Sequence, residues 1–152
     1  MEPTPQHFVF AVTSIPGSTV ACAAHGDLAF FMLLAVHYAQ IAAAAARAGG
    51  RLVKVMGSGT ILTFPVERAH DAVVSLRELQ VAGTILCQAF DERCRLQVKV
   101  GAGTLIAGSL GAPGHEQFDV IGNALNQLVK LPWADFVVTP EVDALLARRS
   151  AH

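Results

Sequence analysis

Residues 28–46, LAFFMLLAVHYAQIAAAAA, constrain the fold more than any other stretch of this chain. The run is long enough to cross a bilayer. However, His37, Tyr38 and Gln40 interrupt it, alanine fills its second half, and no basic flank sets an orientation. Alanine contributes little to insertion. The run therefore reads as a long helix from about 27 to 48, with a broad buried face of Leu28, Phe31, Met32, Ala35 and Ala39, stopped at Gly49-Gly50. The leading MEPTPQHFVF lacks the basic segment of a signal peptide, so a cytoplasmic chain without membrane contact is expected.

At 152 residues the length suits one domain, 1–152, with a proper core. Hydrophobic residues make up 53% and charged residues 15%, with a mean hydropathy of +0.46. That is apolar for a soluble domain, and some apolar surface is expected to meet another chain. A net charge of −1 supplies no basic stripe for nucleic acid. Cys22, Cys87 and Cys94 form neither a Cys-x-x-Cys pair nor an even framework and read as free thiols. Glu67 and His70 share a helix face at metal-ligand spacing, but one such pair reads as a solvated polar face.

Around the long helix the elements alternate. Residues 8–14 form a β-rich run ending at the turn IPGST, and residues 51–64 form a hairpin across Gly57-Ser58-Gly59. A second helix, about 66–81, starts after Pro65 and carries Val73, Val74, Leu76 and Leu79 at helical spacing. In residues 95–100, Leu96, Val98 and Val100 face one way and Gln97 and Lys99 the other. Gly101 and Gly103 lead into a further strand, TLIAGSL, and a glycine-rich loop into FDVIGNALNQLVKL, where a strand end turns into a helix. FVVT and a helix from Pro140 follow. Strand-helix-strand-strand-helix-strand is the α+β, ferredoxin-like βαββαβ order, with helices packed on an antiparallel sheet.

The glycines do not make a phosphate loop: no Gly-x4-Gly-Lys-Ser/Thr occurs, and neither Gly-x-Gly pair has the third glycine of a dinucleotide site. Ser58 lies in Gly-Ser-Gly, without the strand-to-helix elbow of a hydrolase nucleophile. Lys54 is the anomaly, because burying an ammonium in an apolar strand costs several kcal/mol unless it meets a partner.

Four segments follow one another in a familiar order: SIPGST at 14–19, VKVMGSGTILTF at 53–64, VKVGAGTLIAGSLGAPGHEQFDVIGNALNQLVKL at 98–131 and VVTPEV at 137–142. Together they resemble the class III adenylate/guanylate cyclase catalytic domain, from Phe8 to about Leu146. Asp119, Gly122, Asn126 and Lys130 fall at that family's spacing. The resemblance implies a dimer with nucleotide sites at the interface. One side supplies two metal-binding aspartates; the other supplies a base-reading lysine and aspartate, a catalytic asparagine and an arginine.

Residue by residue, Lys54 and Asp119 match the base-reading pair and Asn126 the asparagine, while Lys130 stands at the arginine position. The two metal aspartates fall on Ser14 and Ser58, and a hydroxyl does not replace a carboxylate toward a hard cation. The family's final strand hairpin has no counterpart. The resemblance then implies a catalytically inactive domain with no intrinsic cofactor, ATP as a possible ligand, and Mg²⁺ only where a partner supplies the site. That domain complements or regulates an aspartate-bearing cyclase domain. The alternatives are a homodimer that senses a purine nucleotide and a ligand-free interaction module. On the residues alone, Lys54 also fits a solvent-facing edge lysine, and Asp119 and Asn126 fit capping or turn positions.

Overall fold

The computed structural model describes residues 2–150. The elements run β1 (Thr4–Ser14), α1 (Ser18–His25), α2 (Asp27–Arg47), β2 (Arg51–Met56), β3 (Gly59–Pro65), α3 (Ala69–Phe90), β4 (Gln97–Leu110), β5 (Gln117–Ile121), α4 (Asn123–Lys130), β6 (Phe136–Val138) and α5 (Pro140–Ser150). Among the described residues the strands make one six-stranded sheet in the order β2-β3-β1-β4-β5, with β6 parallel to β4. The β2-β3-β1-β4 part, antiparallel throughout, is the expected ferredoxin-like core.

One face of the sheet holds the main core: Val9, Ala11, Leu62, Phe64, Val98 and Val100 pack against Ile41, Ala44 and Ala45 of α2 and Leu76 and Leu79 of α3. Small residues bring the two helices together, and the buried Ser75 hydroxyl donates to the Ala44 carbonyl at 2.7 Å. The opposite face holds a smaller cluster of Phe10, Val12, Ile61, Leu105 and Val120 under Leu125 and Leu128 of α4.

Helix α2 turns the other way from the expected orientation. Leu33, His37, Ile41, Ala44 and Ala45 point inward. Leu28, Phe31 and Met32 are 77%, 69% and 58% exposed, and Ala35 and Ala39 are exposed beside them. The helix is apolar on all sides, so its periodicity does not single out one face; fit against the β-branched sheet and Ser75 does. By length and composition alone α2 could cross a membrane.

The other departures have local causes. Residues 18–25 form a helix of their own, α1, and β1 begins four residues before the expected start. Helix α3 runs past 81 to Phe90, because Gly83 is a contact point rather than a stop: a Cβ there would lie 2.5 Å from a Leu96 methyl. Of the apolar residues read at helical spacing, Val73, Leu76 and Leu79 are buried and Val74 is exposed. The two strands expected at 95–110 are one, β4, and its glycines make room instead of breaking it. A Cβ on Gly101 would meet the Phe10 ring at 2.9 Å, and one on Gly103 would meet the Ala124 Cβ at 2.9 Å.

Gln97 and Lys99 face away from Leu96, Val98 and Val100, as the alternation has it, yet both are buried, Lys99 beneath the end of α4. The Lys99 ammonium donates to the carbonyls of Val129 (2.8 Å) and Leu131 (2.9 Å) and lies 3.8 Å from the centre of the Trp133 ring. It thereby satisfies carbonyls that the end of α4 leaves free. Burial holds its pKa below the ordinary lysine value.

Two predictions follow from this packing. Lys99→Met leaves two carbonyls without their donor and is expected to lower stability by about 2 kcal/mol, with faster amide exchange in α4, measured by denaturant melts and hydrogen exchange. His37 is fully buried, neither ring nitrogen has a hydrogen-bond partner among the described residues, and burial pushes its pKa down to about 4. Above pH 6.5 it is neutral folded or unfolded. As pH falls from 6.5 toward 4 only the unfolded chain takes up the proton, so about 3 kcal/mol of stability is lost across that window. His37→Leu is expected to flatten this part of the stability–pH curve.

Candidate functional site

One extra residue in β2 sets where Lys54 points. Leu52 pairs with Leu62 and Lys54 with Ile61, so Val53 is a bulge. Side chains alternate along a strand, and an inserted residue reverses the alternation beyond it. Unbulged, Lys54 would follow Leu52 toward the main core; bulged, it shares the side of Ile61.

Strands β2 and β5 stand at opposite ends of the strand order, yet the sheet curls until they meet. The Arg51 guanidinium lies over the Phe118 ring at 4.1 Å, and Lys54 Nζ is 3.2 Å from Asp119 Oδ2. The two side chains are 39% and 19% exposed, so the pair adds little to stability and stays open to a ligand. Asp119 Oδ1 accepts the Val120 amide at 2.7 Å. Asp119 belongs to β5 and does not cap α4; the N-cap residue is Gly122, without a side-chain cap bond.

Asn126 and Lys130 lie one turn apart on exposed positions of α4. Asn126 is inside the helix, its backbone amide donating to the Gly122 carbonyl at 3.2 Å, and is not a capping residue. Leu125 and Leu128 fasten the opposite side of α4 to the sheet. The structure therefore joins Lys54 to Asp119 and sets Asn126 and Lys130 on a neighbouring helix. Among the described residues it places no hydrogen bond between the two pairs.

Ser14 closes β1 and Ser58 sits in the β2–β3 turn. Thr13 pairs with Thr60 across β1 and β3, so both serines occupy the same end of the sheet. Gly57 makes the turn with φ of +63°, and its carbonyl accepts the Tyr38 hydroxyl. The Ser18 hydroxyl donates to Ser58 Oγ at 3.3 Å. A groove of about 460 Å³ opens here, lined by Ser18, Thr19, Cys22, Asp27, Phe30 and Ser58. Its donors are hydroxyls, a thiol and the single carboxylate of Asp27. Among the described residues no three His, Cys, Asp or Glu side chains gather as metal ligands. This donor set does not fit a two-cation centre, which needs several anionic oxygens.

Three features escaped the sequence reading. Lys99 anchors the helix that bears Asn126 and Lys130, and its only trace was a place in a clean alternation. Asp91 braces the loop before β4: it accepts two bonds from the Arg93 guanidinium (2.9 and 2.6 Å), and His25 Nε2 lies 3.0 Å away. The Arg93 bonds hold the Asp91 carboxyl well below the usual carboxylate range. That loop presses on Gly17, where φ is +86° and a Cβ would lie 2.7 Å from the Arg93 carbonyl oxygen. Only glycine fits there, which fixes the path from Ser14 to Ser18. The third is Asp27, read only as a helix start.

Residues 6–131 match the family described as the adenylate and guanylate cyclase catalytic domain. Adenylate cyclase 2 of Rhizobium meliloti (strain 1021) is 23% identical over 137 residues, which are 86% of this chain and 38% of that protein. The chain thus spans well under half the length of this relative. The adenylyl cyclase CyaB from P. aeruginosa superposes with a TM-score of 0.87 at 18% identity, covering 97% of this chain and 84% of that one. The catalytic core of a rhodopsin-guanylyl cyclase with converted specificity, in complex with ATPαS, gives 0.86 at 16% identity over 98% and 86%. At these identities the superpositions establish the fold, and the match over residues 6–131 establishes the family: this chain belongs to the adenylate and guanylate cyclase catalytic domains.

Proposed function

We propose that the chain is a non-catalytic half of a nucleotide cyclase pair. It docks on a cyclase domain that bears the cation-binding aspartates and contributes the base-reading side of a shared site. The observation that carries this reading is the contrast between two clusters. Lys54 and Asp119 are already paired at 3.2 Å, while Ser14 and Ser58 bring no carboxylate to the end of the sheet where cations would be held.

In this role Lys54 donates to, and Asp119 accepts from, the edge of a purine base, replacing the bond they make with each other. Asn126 and Lys130 face the sugar and phosphates from α4. Lys130 offers a point charge where the family uses the planar fork of arginine, so it neutralises phosphate charge without bidentate geometry. Phosphoryl chemistry then depends on the partner's cations, and the chain alone turns nothing over.

A second reading, a homodimer that binds purine nucleotide without converting it, draws on the same pair lying wholly within one protomer. It requires that ATP raise the melting temperature in the absence of Mg²⁺, and that Lys54→Ala abolish the shift.

The deciding test is complementation. An aspartate-bearing cyclase domain whose own base-reading lysine has been removed is inactive as a homodimer. Mixed with this chain it is expected to convert ATP to cyclic AMP, measured by chromatography. Lys54→Ala in this chain is expected to cut kcat/KM by at least tenfold. If the mixture is as inactive as the separate domains across candidate partners, the complementing role is wrong.

A further inference from the structure

Between Leu28 and Ala46, α2 has no charged residue, and its side away from the sheet is nonetheless exposed. The exposed positions are Leu28, Phe31, Met32, Ala35, Val36, Ala39, Ala42, Ala43 and Ala46. A helix that is apolar all round is covered all round, and here the core covers only one side.

The stripe is graded. Its first half is bulky (Leu28, Phe31, Met32) and its second half is alanine alone (Ala39, Ala42, Ala43, Ala46). It is also symmetric about residue 37. Read outward from that point, Ala35 stands opposite Ala39, Met32 opposite Ala42, Phe31 opposite Ala43 and Leu28 opposite Ala46. A two-fold axis through the middle of the helix therefore brings Leu28, Phe31 and Met32 each onto an alanine, while Ala35 meets Ala39 and Val36 meets the half-buried Tyr38 at the centre.

We infer that this stripe is the docking surface for a second copy of the same chain, with the two α2 helices packed antiparallel so that the bulky half of each lies on the alanine half of the other. An interface between identical surfaces must be self-complementary, and this gradient is. Leu28, Phe31, Met32 and Val36 are 77%, 69%, 58% and 50% exposed, and with five exposed alanines beside them the stripe is of the size that a standard interface takes from each partner, about 800 Å². The adjacent helix α3 also leaves Val81 and Ile85 exposed, at 58% and 66%. A bilayer is the poorer match: the other side of α2 is fixed in the core, and no Lys or Arg follows the stripe until Arg47.

The surface is separate from the proposed nucleotide site. Helix α2 covers the Val9 and Ala11 side of the sheet, and Lys54 shares the opposite side with Ile61. Self-association through α2 thus leaves Lys54 and Asp119 free for a cyclase partner, and its test is independent of nucleotide.

The experiment is light scattering of the full chain at tens of micromolar, with four variants. The parent is expected to be a dimer. Phe31→Glu and Ala43→Glu, one in each half and both at exposed positions, are each expected to raise the dimer Kd at least tenfold while keeping the parent's far-ultraviolet dichroism. Ala42→Leu, which fills the space for Met32 of the second copy, is expected to weaken the dimer too. The double variant Ala35→Cys/Ala39→Cys is expected to cross-link into dimers on mild oxidation where the parent does not. A monomeric parent, a dimer indifferent to Phe31→Glu and Ala43→Glu, or a stripe protected only by lipid vesicles or by an aspartate-bearing cyclase domain would each overturn the inference.

Discussion

Strand β4 bonds to β1 along one edge and to β5 and β6 along the other, and α4 lies flat across its middle. That is possible only because Gly101 and Gly103 present no side chain where the Phe10 ring and the Ala124 methyl approach within 2.9 Å of a Cβ position. Larger residues there would lift α4 from the sheet and carry Asn126 and Lys130 with it. Lys99 completes the seating from below: its buried ammonium donates to two carbonyls at the end of the helix, a rare use of a lysine with no carboxylate partner among the described residues.

The curl of the sheet is the second condition. A flat sheet in the order β2-β3-β1-β4-β5 would hold Lys54 and Asp119 far apart. The right-handed twist of strands, increased by the bulge at Val53, closes the gap until Arg51 reaches Phe118 and Lys54 reaches Asp119. The bulge has a second effect, since it aims Lys54 away from the aliphatic core. The lysine in an apolar strand is explained by this geometry: it is neither buried alone nor a loose edge residue, but half of an accessible ion pair.

The two ends of the molecule then differ in chemistry. Where Lys54 meets Asp119, charge and hydrogen-bonding capacity are concentrated. Where β1 and the β2–β3 turn end together, the groups are Ser14, Ser18 and Ser58, with Asp27 alone bearing charge in the groove. Gly17 and Gly57, in left-handed conformations, shape the two loops here, and the residues at their tips offer hydroxyls. Backbone shape and site chemistry are separable here, and the family fold alone therefore does not assign turnover.

The sequence by itself determined the strand-helix-strand-strand-helix-strand order of the core, the Gly57-Ser58 turn, and the spacing of Asp119, Gly122, Asn126 and Lys130, because these rest on local rules of turn chemistry and on residue identity. It also singled out Lys54 and Asp119, which are 65 residues apart, but only as members of a motif; nothing in local pattern measures the distance between them. The tertiary structure alone decided which side of α2 faces inward, since a helix apolar on every side gives periodicity nothing to choose between. It also decided that Gly83, Gly101 and Gly103 are contact points instead of breaks, because close approach is a property of the neighbour and not of the glycine. Lys99 shows the same limit most plainly: alternation marked it correctly as opposite Val98 and Val100, but only the helix packed over that face made it the most deeply buried charge in the fold.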